Sequence, residues 1–576
     1  MIATAQRKIE HRHGLRSPEK EPPRAPSIRP LLRRMGGTAR TPRVRILAAR
    51  DLIKRLLALC LSAFTISALA QASRPAAEVY HNPILFADYS DPDVIRDGAN
   101  YYLVASTFHF VPGIPILQST DLVHWTIVGH VVDRLTMDPR YSMVGGNRYG
   151  KGVWAPSIRK HDGLYYVYFP TPNEGIFVST ATQITGPWSD PAVVIAKPNL
   201  EDPCPFWDDD GKAYLIHSVT GAGPLILHRM SPDGKHVLDQ GKIIAQDPEH
   251  LPVLEGPKLY KRDGYYYIFA PFGGVGVGSQ VVLRSRQIYG PYDYRVVLAQ
   301  GSTNINGPHQ GGYVETPDGE GWFVHFQSDG AHGRIVHLEP VRWQDDWPIV
   351  GADPDAAPGR DATGQPVPSG PIPDHSTAPS EQHPQTSDDF NEAVLGPQWE
   401  WNHNPDDAHW SLSARPGYLR LIPMPADGLL AARNTLTQCM QDNSFEFTVR
   451  VDLGAMKSGA HAGLAMFEES ASGLEIVQSG DARRLDFFHL PEHVAGPALT
   501  QTVLQLRVSV RGDQALYFYS LDDGKTFHQL GAATPIRFSW WKGSRPALFA
   551  YTTLNSDPGA VDFDWVHYQP LAPNPW

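Results

Sequence analysis

The chain has 576 residues, which is too long for one ordinary hydrophobic core and predicts at least two domains. Hydrophobic residues make up 41% and charged residues 19%, with 51 glycines and 52 prolines, a composition that suits a globular protein built from many short strands. The net charge is −11 overall, but residues 1–55 carry about +11 and the remainder about −22, which argues against DNA, RNA or an anionic membrane surface as a partner.

The first predicted element is a cleavable leader over residues 1–70. Its basic region contains 15 Lys or Arg and four Asp or Glu up to Arg55, and the apolar stretch LLALCLSAFTISALA follows from Leu56. This stretch is short for a membrane span and ends in the small-residue pattern ALA. We therefore expect a secretory signal peptide that is cleaved after Ala70, and a periplasmic or secreted protein with no membrane span in its mature form.

A repeated unit fills the predicted first domain, residues 79–358. Each unit runs from a polar residue and Pro (or His-Gln) through an apolar strand and an Asp/Gly turn to an aromatic strand, as in YSDPDVIRDGANYYLVAST and EDPCPFWDDDGKAYLIHS. The corresponding positions are Asp91, Ala155, Asp202, Gly256 and Gln310. A period of roughly 50 residues with about four strands per unit predicts a β-propeller with five blades.

The second half of the chain is divided from the first by a linker. Residues 359–387 are rich in Pro, Gly, Ser and Thr and show no apolar period, which is typical of a linker or a loosely tethered loop. Alternating segments such as SFEFTVRVDL and RPALFAYTTL then predict a β-sandwich of the jelly-roll type over residues 388–571. This domain shows no nucleophile-plus-base constellation, so we expect it to support the propeller. The whole chain is thus expected to be all-β.

The repeat also predicts where chemistry takes place. In a propeller, the first strand of each blade lines the central channel, so residues that open these strands converge at one mouth. Asp91, Asp202 and Glu255 are three acids that open such strands, and Trp154 and His309 open two others. Carboxyl groups this close perturb one another, so that one is pushed toward protonation while another stays ionised.

Such a pair of carboxyl groups serves glycoside hydrolysis, which needs an acid to protonate the leaving oxygen and a base to activate water on the opposite face of the sugar. A single Asp-Pro is more often a turn or cap, but three acids in step with a repeat favour a site. Asp93 and Asp97, in contrast, have the pattern of turn or solvent-facing residues.

Six segments together resemble one known family. They are NPILFADYSDPDVIRDG, STFHFVPGIPILQSTDLVHW, GVWAPSIRKHDGLYYVYF, EDPCPFWDDDGKAYLIHS, EGPKLYKRDGYYYIF and GRIVHLEPVRWQDDWPIVG. In this order they resemble glycoside hydrolase family 43, the five-bladed β-xylosidases and α-L-arabinofuranosidases, across the whole first domain. The second domain resembles the concanavalin-like sandwich that follows some members.

The resemblance implies catalytic roles for the three acids. Asp91 matches the general base, Asp202 the carboxylate that tunes and orients the acid, and Glu255 the general acid, which is expected to be protonated. It also implies an inverting reaction.

The resemblance further implies a sugar pocket and an ion. Phe108 and Trp154 match its apolar walls, and Arg334 matches an arginine that binds substrate hydroxyls. His309 matches a histidine near the channel, where many members hold Ca²⁺ through water. A satisfied core histidine is an equal interpretation of His309, because one histidine does not define a metal site.

These observations predict an exo-acting, inverting glycosidase that releases xylose or L-arabinofuranose from hemicellulose oligosaccharides. We expect that no cofactor is required. Whether a structural Ca²⁺ binds in the propeller channel stays open. The alternative from another class is a non-catalytic carbohydrate-binding propeller, which would keep Trp154 and Phe108 but could dispense with Glu255. The preference between the two sugars is not readable from the sequence.

Overall fold

The structure, a computed structural model, describes residues 79–221, 223–354, 362–373 and 383–573. The predicted leader lies outside these residues. Residues 77–576 form one compact unit. Among the described residues, no helix is both long enough and apolar enough to cross a membrane.

Five four-stranded antiparallel sheets form the blades of a propeller, as the repeat predicts. Blade one contains Asp93–Asp97, Asn100–Val104, Gly113–Ser119 and Thr126–Val132. Blade two contains Ser157–His161, Leu164–Thr171, Gly175–Ala181 and Ala192–Ile195. Blade three contains Leu200–Trp207, Ala213–Val219, Leu225–Met230 and Lys242–Ala245. Blade four contains Lys258–Arg262, Tyr265–Phe272, Ser279–Ser285 and Asp293–Leu298. Blade five contains Gly311–Glu315, Gly321–Ser328, Arg334–Gln344 and Trp347–Val350.

The ring closes between the inner strands of blades five and one, which lie side by side. A Cβ added to Gly312 would lie 2.8 Å from both Asp93 Oδ1 and the Val94 backbone nitrogen, so the two strands approach too closely for any side chain there. Upstream of blade one, Leu85 exchanges backbone hydrogen bonds with Val336 of blade five. The N-terminal segment is therefore tied to the last blade.

The channel is filled with charged side chains below its mouth. Asp93 and Lys258 are fully buried, and Lys258 Nζ donates to the Pro156 carbonyl and the Ser157 hydroxyl while lying 3.8 Å from Asp93 Oδ2. Arg159 donates to the same Asp93 oxygen at 2.7 Å. The expectation that Asp93 faces solvent is wrong, because its inward position in the first strand places it against two cations.

The C-terminal part is a β-sandwich of two sheets, also as predicted. One sheet contains Glu400–Asn402, Met424–Pro425, Thr435–Thr437, Ala460–Phe467, Ser472–Ser479, Ala482–His489, Glu492–Leu499, Arg545–Thr552 and, from the propeller, Phe110–Val111. The other contains Trp410–Ser411, Leu419–Leu421, Ser444–Asp452, Val503–Arg511, Gln514–Ser520, His528–Gln529, Thr534–Pro535 and Val561–Pro570. Short 3-10 helices in the described chain are Pro139–Ser142, Gly330–His332, Asp407–His409 and Leu429–Ala431.

The two domains share a core and a sheet. Phe110–Val111 leaves blade one and pairs with Trp401 and Asn402 of the sandwich. One cluster of buried apolar side chains runs from the first two blades into the sandwich, with Val132 and Leu436 among its members. The sandwich is thus packed onto the side of the propeller rather than tethered to it.

Parts of the predicted linker are ordered against the propeller. Ser369–Pro371 pairs with Val79–His81 in a two-stranded antiparallel sheet. The side chain of Gln385 also bonds to both backbone groups of Ile127 in blade one. The described linker segments are therefore bound to the first described strand, Val79–His81, and to the outer strand of blade one.

Candidate active site

The residues before the blade prolines share an unusual backbone conformation. Asp91, Asp202 and Gly256 have φ values of 53°, 56° and 56°. Left-handed backbone at an aspartate is uncommon, and outside glycine it costs about 1–3 kcal/mol at positions where the surroundings enforce it. Both aspartates adopt this costly conformation at the same repeat position. The local backbone there therefore directs their side chains into the channel mouth.

Glu255 stands one residue earlier in the repeat than the two aspartates. The backbone N–H groups of Trp154, Glu255 and His309 donate, each at 3.1 Å, to carbonyl groups on the second strand of their own blades. Glu255 is therefore equivalent to Trp154 and His309, and not to Asp91. The sequence interpretation treated all three acids as in step with the repeat, although its own alignment puts Gly256, and not Glu255, level with Asp91, and the structure brings the acids together from these two adjacent positions.

A cavity of about 330 Å³ opens at this mouth of the channel. All seven residues singled out from the sequence line it: Asp91, Phe108, Trp154, Asp202, Glu255, His309 and Arg334. Its volume lies at the small end of the range for ligand pockets. The cavity has the size for one sugar ring with the start of a second.

Asp91 is held by one cation and one hydroxyl. Arg334 donates to Asp91 Oδ1 at 2.8 Å and Ser106 Oγ donates to Oδ2 at 2.7 Å. Both partners favour the charged form of a carboxylate. Asp91 is buried at 7% exposure, yet it lines the cavity, so its carboxylate can reach a group that is bound there.

Asp202 and Glu255 share a different environment. Burial, and then the charge of Glu255, raise the pKa of Asp202 to about 7. Donation from the Gly256 N–H at 2.8 Å and the positive charge of Lys258 oppose that rise. The raised pKa thus belongs to Asp202, and of the two carboxyls only that of Glu255 is partly exposed, at 20%.

His309 lies directly beside Glu255. Its Nε2 is 3.2 Å from Glu255 Oε1, and the side chain is 1% exposed. Neither ring nitrogen makes a hydrogen bond with any described residue. The Glu255 carboxylate is therefore the polar neighbour of Nε2, and both interpretations of His309, as a core histidine and as a histidine near an ion, stay predictions.

Aromatic rings form the apolar wall. The rings of Phe108 and Trp154 meet edge to face, with their centroids 6.2 Å apart. The rings of Trp154 and of Trp541 in the sandwich do the same, with centroids 6.1 Å apart. Trp541 also lines the cavity. The sandwich therefore supplies part of the pocket, a contribution that the sequence interpretation did not include.

Trp541 belongs to a strained two-residue turn. Ser539 and Lys542 exchange backbone hydrogen bonds at 2.9 Å around Trp540 and Trp541, whose φ values are 51° and 69°. Such turns favour Asn-Gly, and bulky side chains there are outliers. The ring of Trp540 is stacked on that of Tyr149 in the propeller, with the ring centroids 4.1 Å apart. Contacts with the propeller therefore maintain a backbone conformation that the sequence of the turn disfavours.

Glu201 is a second site residue that the sequence interpretation missed. It is buried, lines the cavity and carries an oxygen within 4.8 Å of oxygens of Asp202 and Glu255. The signal was present, because Glu201 directly precedes Asp202 and thus occupies the repeat position of Glu255. Gly274 and Val275, in the glycine-rich segment of residues 273–279, also line the cavity.

Comparison with known proteins agrees with this geometry. Residues 80–348 match the model for glycosyl hydrolases family 43, and residues 387–569 match the β-xylosidase C-terminal concanavalin A-like domain. A Xylanibacter ruminicola protein, named provisionally as a β-xylosidase, is 43% identical over 466 residues, which are 81% of this chain and 85% of that protein. The chain belongs to glycoside hydrolase family 43. The propeller is the family 43 domain, and the sandwich is its concanavalin-like companion.

Two further family 43 relatives show the range of named activities. A non-reducing end α-L-arabinofuranosidase of Bacteroides ovatus is 34% identical over 369 residues, 60% of this chain and 65% of that protein. A solved family 43 structure, of an engineered enzyme described as displaying both endo-xylanase and exo-arabinofuranosidase activity, superposes with a TM-score of 0.78 at 27% identity and covers 86% of this chain and all of that one. This chain is thus a glycoside hydrolase of a xylosidase and arabinofuranosidase family.

Proposed function

We propose that this family 43 enzyme is an exo-acting, inverting glycosidase that removes single xylose or L-arabinofuranose units from the ends of hemicellulose oligosaccharides. The observation that carries the proposal is the small pocket in which an Arg-paired Asp91 lines the same cavity as Asp202, whose pKa is raised by burial, and Glu255. Relatives named as β-xylosidase and α-L-arabinofuranosidase support both sugars.

The shape of the pocket supports exo action. Below its floor the channel is filled by Asp93, Arg159 and Lys258, so a sugar chain has no exit through the propeller. Trp541 of the sandwich lines the same pocket. A pocket with no exit through the propeller favours binding of the end of a sugar chain over binding of its middle.

The proposed reaction uses two carboxyl groups. Glu255 transfers its proton to the glycosidic oxygen as the bond to the anomeric carbon breaks. Asp91 takes a proton from a water whose oxygen attacks that carbon from the opposite face, which inverts its configuration. Asp91 then releases its proton to solvent and Glu255 regains one. Asp202, within 4.8 Å of Glu255, opposes ionisation of the acid through its charge.

Arg334 and the aromatic wall would hold the sugar. Arg334 is paired to Asp91 through one terminal nitrogen and lines the pocket, so its other terminal nitrogen is the donor proposed for substrate hydroxyls. Phe108 and Trp154 offer apolar surface to the carbon face of the ring.

His309 fits the hydrated Ca²⁺ that the family resemblance implies. Its buried Nδ1 lacks a hydrogen-bond partner among the described residues, while Nε2 lies beside Glu255, so a water held by a bound ion would give Nδ1 a partner. A bound ion would supply positive charge beside Glu255. Calorimetric titration of Ca²⁺ into the wild type and into His309→Ala tests this, since binding that the variant retains unchanged would exclude a role for His309.

Export of the enzyme is also a proposal, which rests on the basic region, the apolar stretch from Leu56 and the ALA pattern ending at Ala70. N-terminal sequencing of the exported protein is expected to start near Gln71. An intact N-terminus on exported protein would contradict it.

The direct test of the activity is a parallel assay of nitrophenyl β-D-xylopyranoside and nitrophenyl α-L-arabinofuranoside. We expect turnover of at least one. Binding of xylose without turnover of either glycoside would instead support a non-catalytic carbohydrate-binding propeller.

A further inference from the structure

Outside the seven predicted site residues, a buried ion pair joins the two domains. Lys542 of the sandwich is 3% exposed and Asp88 of the propeller is 5% exposed, with Nζ 3.2 Å from Asp88 Oδ2. The same ammonium donates to the backbone carbonyls of Asp88 at 2.8 Å and Ser106 at 3.3 Å. Lys542 directly follows Trp541, which lines the sugar pocket.

The Asp88 carboxylate serves both domains at once. Its Oδ2 accepts the Gly543 N–H at 2.8 Å, so the chain just after the tryptophan turn is fixed to the propeller. Its Oδ1 accepts the Arg334 backbone N–H at 3.0 Å and the Ser90 hydroxyl at 2.8 Å. One carboxylate therefore sets the position of the turn that carries Trp541 and of the arginine that pairs with Asp91.

A second path leads from Lys542 to the same base. The Ser106 carbonyl accepts from Lys542, and the Ser106 hydroxyl donates to Asp91 Oδ2 at 2.7 Å. Both hydrogen-bond partners of Asp91, Ser106 and Arg334, are thus in contact with the Asp88–Lys542 pair. The sandwich is connected to both oxygens of the base.

The tryptophan turn depends on this attachment. Trp540 and Trp541 adopt left-handed backbone that bulky residues avoid, and strained positions persist only where surrounding contacts enforce them. Stacking of Trp540 on Tyr149 is one such contact, and the bonds from Lys542 and Gly543 to Asp88 are two more. Loss of the ion pair would allow the turn to relax and Trp541 to leave the pocket.

We propose that Asp88 and Lys542 are positioning residues, which hold Trp541 at the pocket and hold Arg334 and Ser106 against Asp91, so that docking of the sandwich completes the active site. The functional part of this inference rests on the proposed glycosidase activity. Neither residue contacts the sugar in this account.

The test compares Lys542→Met and the conservative Lys542→Arg with Arg134→Met. Arg134 is a matched control because its ion pair with Asp407 also joins propeller and sandwich, but it is partly exposed and lies outside the pocket. Hydrogen exchange by mass spectrometry is the readout that does not need activity. Lys542→Met is expected to speed exchange in peptides covering residues 86–92 and 330–336 as well as 538–545, while the sandwich strand Ser444–Asp452 stays protected.

Kinetics supply the second readout. We expect Lys542→Met to lower kcat on nitrophenyl glycosides by about ten- to a hundred-fold, the scale of a small misplacement of catalytic groups, with Lys542→Arg recovering part of it and Arg134→Met close to wild type. In a Trp541→Ala background the loss in kcat/KM is expected to be smaller, because part of the Lys542 effect acts through Trp541.

The outcomes separate the two claims. Faster exchange confined to residues 538–545, or the same pattern in Arg134→Met, would overturn the positioning role. Unchanged kcat in folded Lys542→Met would also overturn it. A wild type that hydrolyses no glycoside while Lys542→Met still loosens residues 86–92 and 330–336 would contradict the proposed function and leave the structural coupling supported.

Discussion

Arg334 donates a 2.8 Å hydrogen bond to Asp91 Oδ1 although the two residues are 243 positions apart in the sequence. The pairing crosses the junction at which blade five closes on blade one. It gives the proposed base a positively charged partner inside the pocket, and charge-assisted hydrogen bonds of this kind are stronger than neutral ones. The proposed division of labour follows, with the Arg334-paired Asp91 as the base and the Asp202–Glu255 pair on the acid side.

The first prediction concerns the base. Asp91→Asn keeps the size of the side chain but cannot accept a proton from water, so hydrolysis of aryl glycosides and of xylobiose should both fall by about 100- to 10,000-fold. Steady-state kinetics on the two substrates check this. A variant with nearly normal rates on either one would contradict the assignment.

The second prediction concerns the acid. Glu255→Gln removes the proton donor, so the rate on xylobiose, whose leaving group needs protonation, should fall far more than the rate on a dinitrophenyl glycoside, whose leaving group does not. Comparing kcat/KM across aryl leaving groups of graded acidity measures the difference. Equal losses across the series would argue that Glu255 acts in some other way.

The third prediction concerns pH. The pKa of Asp202, raised to about 7 by burial and by the charge of Glu255, implies that the pair loses its proton as pH rises through about 7, so activity should decline there. Asp202→Asn should move this alkaline limb to lower pH, because the neighbouring charge that opposes ionisation is gone. Asp97→Asn is the control, since Asp97 pairs with Lys160 away from the pocket.

The thermal stability of the protein should depend on the same ionisation of Asp202. The pKa of the Asp202 carboxyl is higher in the folded state than in the unfolded state. The buried, charged carboxylate therefore destabilises the native state most above about pH 7, and this penalty disappears as the pH falls toward the unfolded pKa near 4. Asp202→Asn should therefore raise Tm at pH 8 more than at pH 5, measured by calorimetry. A Tm gain that is the same at both pH values would show that the charge of Asp202 is not responsible.

The fourth prediction concerns the sandwich tryptophan. Trp541→Ala should raise KM for xylobiose and xylotriose and allow release of xylobiose from longer chains, because the pocket entrance widens. Chromatography of products from xylohexaose checks this. Trp565→Ala is the control, as Trp565 is a sandwich tryptophan outside the pocket lining. Release of xylose alone by both variants would mean that Trp541 does not enforce exo action.

Much of the fold and five of the seven candidate residues followed from the repeat, while Phe108 and Arg334 came from the family resemblance. A propeller places equivalent positions around one channel, so the spacing of Asp91, Asp202 and Glu255 was enough to predict their convergence. The repeat aligns Gly256, and not Glu255, with Asp91, so the one-residue offset of Glu255 was present in the sequence and the interpretation overlooked it. Asp93 was misjudged since only the folded channel shows that Arg159 and Lys258 face it.

The sequence did not predict the contribution of the sandwich to the pocket, for a different reason. Nothing near Ser539–Lys542 marks a sugar site, and a Trp-Trp pair at a tight turn contradicts local preference. The pair makes sense only when the sandwich is docked, with Trp540 on Tyr149 and Lys542 on Asp88. Contacts of this kind depend on how two separate domains pack, and no local periodicity encodes that.

The central claim is that Asp91 activates water on the face opposite Glu255, and its direct test is the anomer formed first. Proton NMR during rapid hydrolysis of a nitrophenyl β-D-xylopyranoside, or of the α-L-arabinofuranoside if only that one is cleaved, follows the anomeric signals before mutarotation mixes them. The account predicts that α-xylose, or β-arabinose in the second case, accumulates first because a single displacement inverts the anomeric carbon. First appearance of the anomer with the configuration of the substrate would show retention, and would contradict the mechanism proposed for this pocket.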